Sequence, residues 1–399
     1  MDPASRAGSA RLRERGAFAD GTDVTGLREF ITHPFVTERT GPEDDPQDGR
    51  LLKKQSRIEL GNNLATRYHY AGGLKHPTVE ELLASARVVS VPMRVRFREL
   101  THREALILQG PAGWGEFSPF PEYDDDESAT WLRAAVEAAW HGFPTPVRSR
   151  VPVNATVPAV QASGVEPVLA RFGAVSAVKI KVAERGQSLF DDVARVAEVR
   201  RLLPEANLRI DANGGWSTAE ALTALESLAP YSLEYAEQPV MDTADLRAVR
   251  LEVQRRGLPV LIAADESVRK AEDPLRVARE DAADLIVVKV APLGGVRRAL
   301  DIVAQAGLPA VVSSALDTSV GIRAGVALAA SLPQLPYACG LATLSLMDGD
   351  VSPEPLLPDG GWLPVRPLTV TEELLDRHEA PRDRANWWLE RLKRVSGKL

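Results

Sequence analysis

Two hydropathy periods divide the chain. From Val88, the segment VVSVPMRVRF alternates apolar and polar positions with the period of two that a half-buried strand shows. EALILQG (104–110) and GWGEFSPF (113–120) continue as short β segments, and ESATWLRAAVEAAWHG (127–142) then changes to helical spacing. Strands followed by a helix predict a small α+β domain. From Val151 short apolar runs alternate with amphipathic helices. The runs are VPVNATV, AVKIKVA, LRIDAN, LEYAEQP, PVLIAADES, LIVVKVAPL, PAVVSSA and YACGLAT. Eight such strand candidates in strict β/α alternation predict a parallel sheet closed as a (β/α)8-type barrel, with its active site at the C-terminal strand ends. The expected architecture is therefore a modified (β/α)8 TIM-type barrel with an N-terminal α+β capping domain. Its divisions are an N-terminal extension (1–80), a cap (81–150) completed by the C-terminal stretch 360–399, and a (β/α)7β-type barrel (151–345). In the terminal helix ANWWLERLKRV, Trp387 and Trp388 read as packing residues.

Composition removes several functional classes. With 399 residues, 44% of them hydrophobic and 26% charged, the chain can bury a large core. A net charge of −7 offers no basic face for nucleic acid. The single Cys339 allows neither an internal disulfide nor a thiolate cluster. No apolar run approaches the roughly 18 residues of a membrane span, and the arginine-bearing N-terminus lacks the apolar stretch of a secretory signal. These points lead to an expected cytoplasmic enzyme acting on a small molecule. The arginines at 6, 11, 13 and 15 read as a solvated tail, and GPEDDPQDG (41–49) as a flexible loop.

The chemistry is carried by charges at the barrel strand ends. Asp211, Glu237 and Asp265 end three consecutive strand candidates. One carboxylate there could simply cap the following helix, but three converging anions repel unless a cation joins them. An oxygen-only set favours a hard divalent ion, Mg²⁺ with Mn²⁺ sharing the same ligand chemistry. Lys179 and Lys181 are two apart on the second strand and so share its inward face, while Lys289 is the lone charge in the apolar sixth. Lysines on opposite sides of a metal can reach both faces of a carboxylate substrate, and a neighbouring cation depresses Lys181 toward the pKa of a general base.

In this order and spacing the residues resemble the enolase superfamily over about residues 88–365. The KIK triplet (179–181) with Lys289, and the absence of His from AVVSSALDTSVG (310–321), resemble its muconate-lactonizing subgroup. Finer stretches are similar to the o-succinylbenzoate synthase family: GWGEFSPFPEY (113–123), VPVNATVPA (151–159), KVAERGQS (181–188) and PYACGLATL (336–344). The resemblance implies a Mg²⁺-dependent dehydration of 2-succinyl-6-hydroxy-2,4-cyclohexadiene-1-carboxylate in menaquinone biosynthesis. In it Lys181 serves as base and then acid, and Lys289 stabilises the enolate. Asp211, Glu237 and Asp265 hold the ion. Lys179 contacts the substrate carboxylate and tunes Lys181, Asn213 orients the metal site or the substrate, and Ser313 and Ser314 meet the succinyl carboxylate or close a strand-end turn. N-succinylamino acid racemase, dipeptide epimerase and muconate cycloisomerase use the same scaffold and stand as alternatives. The chain departs from the family in its long N-terminal segment and in a short loop after the first cap strand (about 98–104), which predicts a more open pocket. No feature of the sequence specifies an oligomeric state.

Overall fold

The computed structural model describes residues 76–97, 100–270 and 272–399, without the side chains of 96 and 97. The N-terminal arginines, the acidic loop 41–49 and most of the expected extension lie outside the described residues.

The cap opens with helix α1 (Val79–Ser85), started by a reciprocal pair in which Thr78 caps Glu81 and Glu81 returns to the Thr78 backbone. Strands β1 (Ala86–Phe97), β2 (Leu100–Gly110) and β3 (Gly113–Phe117) form an antiparallel sheet in sequence order. The connection after β1 is shorter than expected. Phe97 pairs with Leu100, so residues 100–104 belong to β2 and not to a loop. Helix α2 (Asp125–Val136) covers the sheet and ends in a π-helical turn.

Barrel elements follow in order: β4 (Arg150–Pro152), β5 (Ala155–Val157), α3 (Val165–Leu169), β6 (Ala177–Lys181), α4 (Leu189–Leu202), β7 (Asn207–Asp211), α5 (Thr218–Leu228), β8 (Leu233–Glu237) and α6 (Thr243–Arg255). Next come β9 (Leu261–Ala264), α7 (Asp273–Arg279), β10 (Leu285–Val288), α8 (Val290–Leu293), α9 (Val296–Ala306), β11 (Ala310–Val312) and α10 (Ser319–Ser331). Strand β12 (Trp362–Pro364) and helices α11 (Glu372–Arg377) and α12 (Arg382–Ser396) end the chain. Helices α4 and α5 begin at capping boxes, Ser188 with Asp191 and Ser217 with Glu220. Helix α9 buries Val296, Ala299, Leu300 and Ile302 on one stripe, the spacing that lays a helix on a sheet.

Strands β5 to β11 make one parallel sheet in sequential order. Two of the eight strand readings change. VPVNATV divides, with β4 pairing antiparallel to β12 and only β5 joining the parallel sheet. The eighth run, YACGLAT, is not a full strand. It closes the barrel through two parallel bridges, Val153 to Cys339 and Ser313 to Gly340. Gly340 lies so close to Ser313 that a Cβ there would come within 2.6 Å of its hydroxyl. The molecule is thus an α/β modified barrel with an α+β cap.

Outward strand residues such as Val178, Ile180, Leu208, Ile210 and Ile286 pack beneath the helices. Inside the barrel, Tyr235, Ala263, Leu285, Val287 and Val311 form a small apolar layer. The buried Arg209 beside it donates to Glu234 (2.6 Å), Asn154 (3.1 Å) and the carbonyl of Ala338 (2.6 Å), tying the closing segment to the wall. The cap has its own core, in which α12 returns Trp388, Leu392 and Val395 onto Leu82, Leu106, Phe117 and Trp131. Trp388 is fully buried and its indole N–H donates to Glu104 at 2.8 Å.

Candidate active site

Strand pleating decides which side chains enter the barrel. In β6, Val178 and Ile180 face the helices, so Lys179 and Lys181 face inward. Pairing then sets Lys181 beside Asp211 and Asp211 beside Glu237 at one level of the barrel. Asp265 and Lys289 come just after β9 and β10, and Ser313 and Ser314 just after β11. Strands β6 and β10 are separated by β7, β8 and β9, so the two lysine sites stand on opposite sides of the three carboxylates.

The charges are buried and mutually paired. The Lys179 ammonium lies 3.0 Å from Asp211 Oδ2 and 2.9 Å from Glu237 Oε1. Lys181 Nζ is 2.6 Å from both Asp211 Oδ2 and Asn213 Oδ1. Lys289 pairs with Asp265. Burial draws the Lys179 ammonium down, but Glu237 and Asp211 outweigh it and hold the group well above the ordinary lysine range. Lys181 ends below that range. Its burial is opposed by Asp211 and reinforced by the cation of Lys179. Burial and the repulsion of Asp211 push the Glu237 carboxyl up to about 8. Asp265 is lowered, because Lys289 and Arg269 overcome its burial.

The donor chemistry fits a hard divalent cation, which prefers oxygen ligands. Among the described residues, no three acidic or histidine side chains stand close enough to share an ion as they are placed. Lysine ammonium groups sit against those carboxylates instead. One atom nevertheless marks a missing partner. Glu237 Oε2 is buried with no hydrogen-bond partner, a state that a second cation would relieve.

Above the charges lies a cleft of about 660 Å³ open to solvent, lined from the barrel by Lys179, Lys181, Asp211, Asn213, Asp265, Lys289, Ser313 and Ser314. All the expected site residues except Glu237 reach its wall. The serine hydroxyls are already engaged. Ser314 Oγ bonds the Gly340 carbonyl at 2.9 Å and Thr343 at 2.7 Å, and Ser313 Oγ lies 3.5 Å from the same carbonyl. Sequence reasoning assigned no role to several other lining groups. Phe120, Tyr123, Glu127 and Trp131 descend from the cap, and Thr156 and Arg269 come from the barrel. Tyr123 ends the stretch GWGEFSPFPEY and Arg269 lies four residues past Asp265, so proximity to a motif was the only signal available.

The cap is pinned over this cleft by two carboxylates seated on helix N-termini. Glu116 accepts from the Thr318 hydroxyl (2.6 Å), the Thr318 amide (3.1 Å) and the Gly321 amide (3.0 Å). Glu137 accepts from the amides of Val296 and Arg297 and pairs with the Arg297 guanidinium. Arg103 of β2 stacks over Phe120 at 4.6 Å and donates to the Leu316 carbonyl at 2.9 Å. That bond helps hold Leu316, a lining residue, at the left-handed φ of 62°.

Comparison with known proteins follows the same division of the chain. The family descriptions Enolase N-terminal domain-like and Enolase C-terminal domain-like match residues 88–139 and 162–368. Among solved structures, a muconate cycloisomerase from Pseudomonas fluorescens superposes with a TM-score of 0.62 at 21% identity, covering 74% of this chain and 98% of that one. A dipeptide epimerase from Enterococcus faecalis superposes with a TM-score of 0.60 at 21% identity, covering 71% and 96%. At such identity these two share the fold. The o-succinylbenzoate synthase of Mycolicibacterium smegmatis is 53% identical over 317 residues, covering 79% of this chain and 96% of the relative. That of Mycobacterium leprae is 52% identical over 320 residues, covering 79% and 93%. Sharing about half of its residues with these relatives over nearly their whole length, the chain belongs to the o-succinylbenzoate synthase family of the enolase superfamily.

Proposed function

We propose that this chain eliminates water from 2-succinyl-6-hydroxy-2,4-cyclohexadiene-1-carboxylate to give 2-succinylbenzoate, a step toward menaquinone. The observation that carries the reading is the placement of Lys181 and Lys289 on opposite sides of three buried carboxylates. Kinship with named synthases at 52–53% identity supports the substrate.

Asp211, Glu237 and Asp265 would hold one divalent ion, Mg²⁺ or Mn²⁺, which would supply positive charge against the carboxylate end of the substrate as negative charge develops there. Lys181, drawn below the ordinary lysine range, takes the proton from the carbon bearing that carboxylate. The electron pair left behind forms the third ring double bond, between C1 and C6, as the neighbouring C–O bond breaks. The hydroxide leaves on the same face and takes the proton back from Lys181. Water and an aromatic ring result, and the lysine returns to its neutral state. Lys289 faces the ring from the far side and stabilises the developing enolate by its charge and by a cation–π contact. Lys179 holds the carboxylate end and repels the charge on Lys181. Asn213 orients Lys181, and Ser313 and Ser314 present their edge of the cleft to the succinyl tail.

The test compares purified wild type with Lys181→Ala in Mg²⁺, following loss of the cyclohexadiene absorbance. We expect rapid dehydration in the wild type and a loss of at least about 10³-fold in kcat in the variant. Racemisation of N-succinyl amino acids without dehydration would move the enzyme to a sister reaction on the same scaffold.

A further inference from the structure

Lys181 stands at one end of a hydrogen-bonded chain that leaves the barrel and enters the cap. Its Nζ donates to Asn213 Oδ1 at 2.6 Å. The other end of that amide, Asn213 Nδ2, donates to Glu266 Oε1 at 3.2 Å. The same carboxylate oxygen accepts from Arg269 Nη2 at 2.5 Å, and Arg269 Nη1 donates to the Tyr123 hydroxyl at 3.3 Å. Tyr123 is fixed within the cap. Its ring packs edge-on against Phe120 and Trp131, and its carbonyl accepts from Arg391 of α12 at 2.6 Å.

The chemistry of each link fixes the direction of the next. An ionised carboxylate only accepts, so Glu266 obliges Asn213 to turn its NH₂ outward and its oxygen toward Lys181. That oxygen can only accept, so one N–H of Lys181 is committed to it. This sets where the remaining amine positions, and the lone pair of the neutral amine, can point. Asn213 reaches this posture from a left-handed backbone with φ 46°, braced by its amide bond to Asp211 Oδ1 at 3.1 Å. Arg269 is the link that crosses between barrel and cap, and it holds the same Glu266 oxygen that Asn213 reaches.

We propose that Arg269 is a positioning residue that aims Lys181 through Glu266 and Asn213 and makes this aim depend on the seating of Tyr123 in the cap. The inference rests on the assignment of Lys181 as the base in the dehydration above. It explains why a lysine on a rigid strand end is bonded to a loop residue, and why cap and barrel meet at a cation beside the cleft.

The competing role for Arg269 is direct contact with the substrate's far carboxylate, and the two roles split kcat from KM. Wild type, Arg269→Met, Arg269→Lys, Glu266→Gln and Tyr123→Phe are assayed as Mg²⁺-loaded enzymes, with melting temperatures recorded beside the kinetics. Positioning requires Arg269→Met and Glu266→Gln to lose about 10–100-fold in kcat with KM within twofold of wild type. Arg269→Lys should recover part of the loss. Tyr123→Phe, which removes one oxygen and keeps the packing, should lose a few-fold in kcat. A rise in KM with kcat preserved would overturn the proposal in favour of direct substrate contact, and unchanged kinetics would overturn it outright. If the wild type dehydrates nothing, the functional reading fails first. The same kcat losses are then required of α-proton exchange on N-succinyl amino acids, and a wild type inactive in both assays overturns both statements.

Discussion

Glu116 on the last cap strand accepts two hydrogen bonds from Thr318, one from its amide and one from its hydroxyl, and so caps a barrel helix 202 residues away in sequence. Burial, followed by the nearby carboxyl of Asp317, pushes the Glu116 carboxyl up to about 7, against an ordinary value of 4.5. Arg103, Ser118 and Thr318 pull the other way and only partly offset this. The folded protein therefore binds this proton more tightly than the unfolded chain. The resulting stability is complete below about 4.5 and is lost as pH climbs through 7. Melting temperature should fall between pH 5 and 8 in the wild type, and Glu116→Gln should flatten that fall. Parallel profiles for the two proteins would remove Glu116 as the cause. Glu116→Ala, which strands buried donors, should destabilise by about 2–4 kcal/mol in urea unfolding.

Arg209 offers a second stability test. Its guanidinium is fully buried and joins Glu234, Asn154 and the Ala338 carbonyl across the barrel seam. Arg209→Met takes this donor from the buried Asn154 and Ala338 acceptors and the cation from Glu234. Urea denaturation should report a loss of about 3–5 kcal/mol. A loss below about 1 kcal/mol would mean that the seam is held elsewhere.

A substitution of opposite sign lies at Ser232, exposed and left-handed with φ 52°. An L side chain is strained there and glycine is not. Ser232→Gly should stabilise the protein by about 0.5–1 kcal/mol, read as a higher urea midpoint with dehydration kinetics unaltered. A lower midpoint would refute the strain.

The proposed ion can be read without turnover. Glu237 Oε2 has no partner, so an added cation should bind there and stabilise the fold. At Mg²⁺ about 100 times its dissociation constant, the gain is about 2.7 kcal/mol. Thermal melts should rise with Mg²⁺ and fall back with a chelator in the wild type, and Glu237→Gln should lose most of the shift. An equal shift in both proteins would place the ion elsewhere.

What was legible in the sequence was what strand periodicity encodes. Lys179 and Lys181 announced an inward face because a strand alternates, and Asp211, Glu237 and Asp265 announced a ring because they recur at the same point of consecutive β/α units. What stayed hidden depends on backbone outside those periods. Glu266 and Arg269 lie respectively in and just after a short 3₁₀ turn, whose direction no alternation predicts. Glu116 reads as one polar residue in an apolar strand until Thr318 is brought to it. The eighth strand was overread because YACGLAT is apolar enough for a core strand, whereas Gly340 allows a close crossing in which only two bridges form.

The cap core joins residues near 82–139 to Trp388, Leu392 and Val395 at the far end of the chain. During synthesis the first cap strands emerge long before the helix α12 that closes their core. The barrel's successive β/α units can pair with neighbours already made, but the cap must wait for α12. Because Phe120, Tyr123 and Trp131 wall the cleft from that cap, the cleft is finished only once α12 has docked. A nascent chain that stops short of α12 should therefore carry an open barrel, and the onset of activity should mark the docking of that helix.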